Sequence, residues 1–539
     1  MRWLLRPSLL LFASVALAVA AAVLITWTPA ADTRPEPRPV RAGDQEIVFL
    51  YQATSGATWE RFVSAAQYLE DQRRMELDTS RAFPGRTTEV PELVLPMESG
   101  NGRLVFRWYK LTSTQTAGSW VDALLKRSPP PLAFIGGNTS DAALELAGEL
   151  ARAAPSLTAA RRPLLLLTTA TAERVERRAE TTLPAGEPAE QWGASLTEVY
   201  AGHTFRFSFT NRQMARAVLE FISSQDGLRP DPEPVYEVYW DDDSYSKDLR
   251  VQFDLALNRQ NASKVPRGDD PERSQDSGLT LNRPGVPKVP PFRIDSSVGT
   301  FDRPNRLEWQ AASWVIQAYR QQVAKRGQHW PLIVLAGQSK PSRRFLRALE
   351  QNDRSAARRL VVATGDSLAF NMVYRDRDVA WPIQDLPFNL VFFCHRNPVD
   401  PDVGFRPGPP NGPNADASAA SGTEDLLLFQ DIQAALMKAA SSLGDGIDPA
   451  SVGERLRVVQ LGGRPLFHPN GNRHTGTGEH VVWLRPQFDE EQVKPVAQLT
   501  VWARHRDANQ IGRWELFGDP LIVNYEGAAG MKGEGNAGD

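Results

Sequence analysis

Residues 131–148 (PLAFIGGNTSDAALELAG) constrain this chain more than any other stretch. Residues 132–135 are a short apolar run, Gly136 and Gly137 leave room for the backbone to bend, and Thr139, Ser140 and Asp141 open a helical pattern. The order is strand, turn, helix start. Ala142, Ala143, Leu146, Ala147 and Leu150 recur at helical spacing, so this helix can lie on a sheet while its free N–H groups point out of the sheet's carboxyl edge. An edge of that kind suits a carboxylate or another anion. The plain alternative is that Ser140 only caps its helix.

The same alternation fills the first part of the chain. Residues 46–52 (EIVFLYQ) form an apolar run, followed by Trp59, Phe62, Val63, Ala66 and Leu69 at helical spacing. Residues 103–110 and 119–126 give a second strand and helix. Residues 163–168 (PLLLLT) are almost purely apolar, as a parallel strand buried on both faces requires, and they end in Thr169, Ala170 and Thr171. Strands alternating with helices predict an open parallel sheet with its ligand edge at the strand ends, here 138–140 and 169–171.

The pattern then starts again. Residues 205–209 lead into a helix over 212–222, and residues 235–240 form a strand ending in Asp241, Asp242, Asp243, Ser244 and Tyr245. Strands over 292–298, 332–336 and 360–363 alternate with helices near Trp314 and over 342–351, predicting a second sheet of the same kind. Two polar, Pro-rich or Gly-rich stretches, 258–291 and 400–422, read as insertions outside the cores. Residues 389–393 are another buried strand and 423–440 an amphipathic helix, both assigned to the first lobe. Residues 481–484 and 499–502 read as late antiparallel strands. The expected division is residues 46–204 with 376–463 as lobe 1, and 205–375 with 464–525 as lobe 2, with a disordered tail over 526–539.

Arg2 and Arg6 precede an uncharged run over 8–27, about the length that crosses a bilayer as a helix. This is a signal peptide or signal anchor, and the length of the run favours an uncleaved anchor. The Pro-rich residues 28–45 then read as a linker holding an exported folded part away from the membrane, in the periplasm or outside the cell. The 61 basic and 64 acidic residues are spread along the chain, which argues against a nucleic-acid partner. One cysteine, Cys394, excludes an internal disulfide and reads as a buried strand thiol.

Several chemical motifs are tested and set aside. Gly365-Asp366-Ser367-Leu368 matches the nucleophile block of the GDSL esterases, yet no histidine has an aspartate three residues before it to complete a triad around Ser367. An EF-hand loop starting at Asp241 would need Gly at Ser246 and Glu at Gln252, so the three aspartates read as helix-start carboxylates. The seven histidines never take the His-Glu-x-x-His form, and the phosphate loop of ATPases is missing. No cofactor, metal or catalytic residue is expected.

Four patterns carry a resemblance to a known family: Ile-Gly-Gly-Asn-Thr-Ser at 135–140, Thr-Thr-Ala-Thr at 168–171, Phe-Arg-Phe-Ser-Phe-Thr at 205–210, and Asp-Asp-Ser-Tyr-Ser at 242–246. In their order and spacing, over residues 45–525, the chain resembles the type I periplasmic binding proteins, in particular the branched-chain amino-acid and amide-binding branch that serves ABC transporters. The resemblance implies an α/β fold of two Rossmann-like lobes with parallel sheets joined by three crossings, clasping a small-molecule ligand between them. Carried over by position, Thr139 and Ser140 would offer hydroxyl and backbone donors to a ligand carboxylate, joined by Ala170 and Thr171, with Asn138 and Thr169 as further ligand-binding residues on the same edge. Tyr245 would close from the second lobe, Gln338 would line the cleft, and Asp366 would accept from a ligand ammonium. The implied partner is an ABC permease. Without transport, the same fold would serve as a membrane-anchored receptor-like or envelope interaction module, and an esterase at Ser367 is the third reading.

Overall fold

The computed structural model describes residues 35–523 except 74–75, 98–101, 176–193, 229–234, 259–288, 299–302, 327–330, 369–386, 399–422, 445, 462, 475–477, 488–495, 506–512 and 518–520. The expected N-terminal anchor and the expected tail lie outside the described residues, as do most of the two insertions. No helix among the described residues is long and apolar enough to cross a membrane.

The first lobe is built in chain order from β1 (Asp44–Gln52), α1 (Gly56–Arg73), β2 (Glu92–Pro96), β3 (Arg103–Leu111), α2 (Ala117–Leu125), β4 (Ala133–Gly136), α3 (Ser140–Ala153), β5 (Leu164–Leu167), the one-turn α4 (Leu196–Val199) and β6 (Thr204–Arg206). Its six strands run in the order β2-β3-β1-β4-β5-β6. All neighbours pair in parallel except β2 with β3. Strand periodicity sorts the side chains into two cores. Ile47, Phe49, Leu164 and Leu166 face one way, against α1 and the later helix carrying Phe429 and Ile432, while Val48, Leu50, Leu165 and Leu167 face α2 and α3.

The second lobe comprises α5 (Asn211–Ser224), β7 (Tyr236–Trp240), α6 (Ser244–Asn258), β8 (Phe292–Ile294), α7 (Arg306–Arg326), β9 (Leu332–Ala336), α8 (Ser339–Asn352), the short α9 (Arg354–Ala357), β10 (Val361–Thr364) and β11 (Asn389–Cys394). The chain then returns to the first lobe as α10 (Thr423–Ser441) and α11 (Pro449–Arg457). It crosses again into β12 (His480–Gln487), β13 (Val496–His505), β14 (Arg513–Leu516) and β15 (Leu521–Val523). The second sheet runs β8-β7-β9-β10-β11-β12-β13-β14, with β15 also on β13. It is parallel through β11 and antiparallel beyond. Ile333 and Leu335 face α7 and α8, whereas Leu332, Val334 and Ala336 face α5 and α6.

The lobes are therefore α/β with largely parallel sheets, and the chain passes between them after Arg206, after Cys394 and after Phe467. Two expected placements are corrected. Phe205 belongs to the last strand of the first sheet, with Leu166 as its partner. Residues 389–394, expected in the first lobe, pair with β10 in the second, Val361 opposite Asn389. An apolar run buried on both faces has the same composition in either sheet, so pairing alone decides which one it joins.

Candidate functional site

The carboxyl edge of the first sheet is shaped by backbone close approach. Gly137 has φ +74°, and a Cβ there would lie 2.7 Å from that of Ala143, so only glycine lets β4 turn directly into α3. Thr139 caps the helix, its Oγ1 accepting from Ala142 N at 3.2 Å. Ser140 does not cap it. The buried Ser140 hydroxyl instead accepts from Ala172 N at 3.2 Å, joining the ends of β4 and β5. Thr169 donates to the Asn138 carbonyl at 3.1 Å, and Ala170 is buried beneath it. Thus the six first-lobe residues named from sequence do converge on one edge, with Asn138 and Thr139 exposed on it.

Thr171 is buried at the first crossing. Its carbonyl accepts from Asn211 N at 2.7 Å and from Arg206 Nη1 at 3.4 Å, where the chain crosses to the second lobe. Thr171 Oγ1, Arg206 Nε and Asn211 Oδ1 are buried with no hydrogen-bond partner among the described residues. Burial pushes the Arg206 guanidinium down from its ordinary range, against the pull of Glu173 and Asp248.

The second sheet's carboxyl edge carries the remaining three. Asp243 caps α6, its Oδ2 accepting from Ser246 N at 3.0 Å and Ser246 Oγ at 2.7 Å, which fits the helix-start reading of the aspartate run. Gln338 Nε2 donates to Asp243 Oδ1 at 2.8 Å, so its amide is held sideways along the edge. Burial raises the Asp243 carboxyl, and the nearby Asp141 raises it further. Tyr245 donates its hydroxyl to Asp366 Oδ1 at 2.9 Å, and burial together with that carboxylate pushes its phenol far up. Asp366 Oδ2 lies 2.7 Å from His395 Nε2.

Two contacts close the lobes on each other. Ser244 Oγ donates to Asp141 Oδ1 at 2.6 Å, between the first turns of α6 and α3. Nearer the crossings, Asp248 of α6 accepts from Glu173 N at 2.8 Å and Arg174 N at 3.3 Å, and also from Asn211 Nδ2 and Gln252 Nε2. Burial outweighs these donors and pushes the Asp248 carboxyl up to about 6. Sequence reasoning missed His395, Asp248, Arg206 and Ser244 as site residues. His395 and Ser244 had a usable signal, since each follows a buried strand as Thr169 and Asp366 do, and Arg206 lies within the 205–210 pattern.

The arrangement gives hydroxyl and N–H donors on one edge and a carboxylate on the other, a pairing that can hold a small polar molecule at both ends. It does not form a nucleophile–base pair. Ser367 lies beside the Tyr245 phenol, while the two ring nitrogens of His395 are engaged by Asp366 and by Phe209 N, the latter at 3.1 Å. Among the described residues no group of three or more His, Cys, Asp or Glu is placed to hold a metal ion.

No protein-family profile and no curated protein matches the sequence. Solved structures do match. An ABC transporter substrate-binding protein from Desulfitobacterium hafniense aligns at 14% identity and TM-score 0.46, over 88% of this chain and 100% of its own. A leucine-, isoleucine-, valine-, threonine- and alanine-binding protein from Brucella ovis, in a closed conformation, aligns at 12% identity and TM-score 0.48, over 89% and 96%. A solute-binding protein of an ABC transporter from R. palustris, in complex with 4-hydroxybenzoate, aligns at 11% identity and TM-score 0.47, over 88% and 97%. In fold the chain is similar to the substrate-binding proteins of ABC transporters.

Proposed function

We propose that this chain is an exported solute-binding protein that clasps a small polar ligand, an amino acid or an amide-like compound, between its two lobes for ABC-type uptake or sensing. One observation carries the reading. The carboxyl edges of two parallel sheets face each other across Ser244 and Asp141, with the donors of Thr139, Ser140 and Thr171 on one side and the Asp366 carboxylate on the other. A zwitterion needs donors at one end and an acceptor at the other.

A second reading has its own support. Asp366 already receives the Tyr245 hydroxyl and faces His395, and Ser244 donates to Asp141 from one lobe to the other. A receptor-like or envelope interaction module on this fold, tethered by the N-terminal segment, would need no more.

Thermal unfolding of the full-length chain against amino acids, amides, small carboxylates and sugars separates the two. A ligand at a hundred times its dissociation constant adds about 2.7 kcal/mol to the folded state. A rise with one class, lost in Asp366→Ala and Thr139→Val, supports solute binding. A flat panel, with a protein captured by the exported part, supports the module.

A further inference from the structure

Asp366 is held by two residues from distant parts of the chain, and the histidine among them is also tied to a lobe crossing. His395 follows β11, at the point where the chain leaves the second lobe, and is buried. Its Nδ1 faces Phe209 N at 3.1 Å, on the first crossing, and its ring lies parallel to that of Phe209, 4° between planes and 5.9 Å between centroids. Its Nε2 faces Asp366 Oδ2 at 2.7 Å.

A backbone N–H can only donate, so Nδ1 must accept, and the imidazole proton therefore sits on Nε2 and is given to Asp366. A doubly protonated ring would set Nδ1–H against Phe209 N–H, two donors facing each other. The other partner of Asp366 is the Tyr245 hydroxyl, also a neutral donor. Neither donor cancels the charge on the carboxylate. Both fix its orientation and leave lone pairs for a third, cationic donor.

We propose that His395 is a positioning residue: through its Nε2-protonated tautomer, locked by Phe209, it holds Asp366 as an oriented, charged acceptor for a cationic group on the ligand. The proposal rests on reading Asp366 as part of the ligand cleft, and it deepens that reading by assigning its selectivity to a residue that does not itself touch the ligand.

Two measurements on the full-length chain test it. The first needs no ligand. With 15N-labelled histidine, the imidazole of His395, assigned through His395→Gln, is expected as the neutral Nε2-protonated form at pH 7, and its Nε2 resonance is expected to move in Asp366→Asn. An Nδ1-protonated or doubly protonated ring, or one indifferent to Asp366→Asn, overturns the proposal. The second compares L-leucine with 4-methylpentanoate, which lacks only the ammonium. Loss of a charge-assisted contact predicts about tenfold weaker L-leucine binding in His395→Leu, with 4-methylpentanoate unchanged. His395→Gln, whose amide can still donate to Asp366, is expected to restore most of the difference. Equal loss for both probes, or no rescue by glutamine in a variant that melts like the parent, shows a merely structural histidine and overturns the proposal. If neither probe binds the parent chain while the tautomer is as expected, the cleft reading fails on its own, and His395 still stands as the residue that orients Asp366.

Discussion

Ser244 and Asp141 stand at the starts of two helices from different lobes, and a 2.6 Å hydrogen bond joins them. A hydroxyl-to-carboxylate bond at an exposed position contributes about 1 kcal/mol. Ser244→Ala is therefore expected to shift the ligand-free chain toward a more open form about fivefold. Spin labels placed on the outer surfaces of α3 and α6 would report this as a longer distance population; an unchanged distribution would mean that the lobes are held by other contacts.

Asp248 makes the stability of the fold sensitive to pH. Its carboxyl is raised by burial to about 6 in the folded chain, from the ordinary 3.8 of an aspartate. The folded state therefore binds the proton more tightly than the unfolded state. The stability linked to this group is fully present below the unfolded value and is lost as pH rises through about 6, amounting to about 3 kcal/mol in all. Urea unfolding midpoints of the parent and of Asp248→Asn, measured from about pH 4 to about pH 7, are expected to diverge in that window, with the parent losing more as pH rises. Parallel curves would show that Asp248 titrates normally.

Thr171 has a buried hydroxyl without a partner among the described residues. Replacing an unpaired buried hydroxyl by a methyl of the same shape removes a desolvation cost of about 1 kcal/mol. Thr171→Val is expected to raise the melting temperature without ligand, and to weaken any ligand that uses the hydroxyl. Destabilisation in the absence of ligand would mean that the hydroxyl already has a partner.

Gly471 lies on the last crossing with φ +82°, and a Cβ there would come within 2.1 Å of the Thr204 carbonyl oxygen. Its own carbonyl accepts from Arg206 N at 2.8 Å, so the backbone cannot withdraw without breaking that bond. Gly471→Ala is expected to cost about 3 kcal/mol or more, read as a drop in unfolding midpoint. A midpoint within error of the parent would show that this crossing yields easily.

Much of this architecture was legible in local pattern. Residues 164–167 announced a strand buried on both faces, and Leu164 with Leu166 and Leu165 with Leu167 do enter opposite cores. The strand-end rule put Ser140 and Thr171 on one sheet edge, and the family resemblance picked out Tyr245 and Asp366, which the structure brings together on the other. Sheet membership was not legible, because residues 389–394 would be equally at home in either lobe. The edge strand Glu92–Pro96 escaped notice because five residues ending in proline, the only antiparallel member of the first sheet, carry little periodicity. His395 and Asp248 were missed for a different reason. Their partners Phe209 and Glu173 lie 186 and 75 residues away, and a bond between such distant positions leaves no mark on the neighbouring sequence.

The return of α10 to the first lobe governs the order in which the molecule can be completed. All six strands of the first sheet have been synthesised by Arg206, yet one of its faces is covered by Phe429, Ile432 and Leu436, and Gln433 donates to the Phe62 carbonyl from the same helix. More than two hundred residues, including every parallel strand of the second sheet, emerge before that cover exists. An N-terminal fragment ending near Arg206 would thus present a greasy, unfinished surface. The first half cannot settle until the helix that covers it has been made.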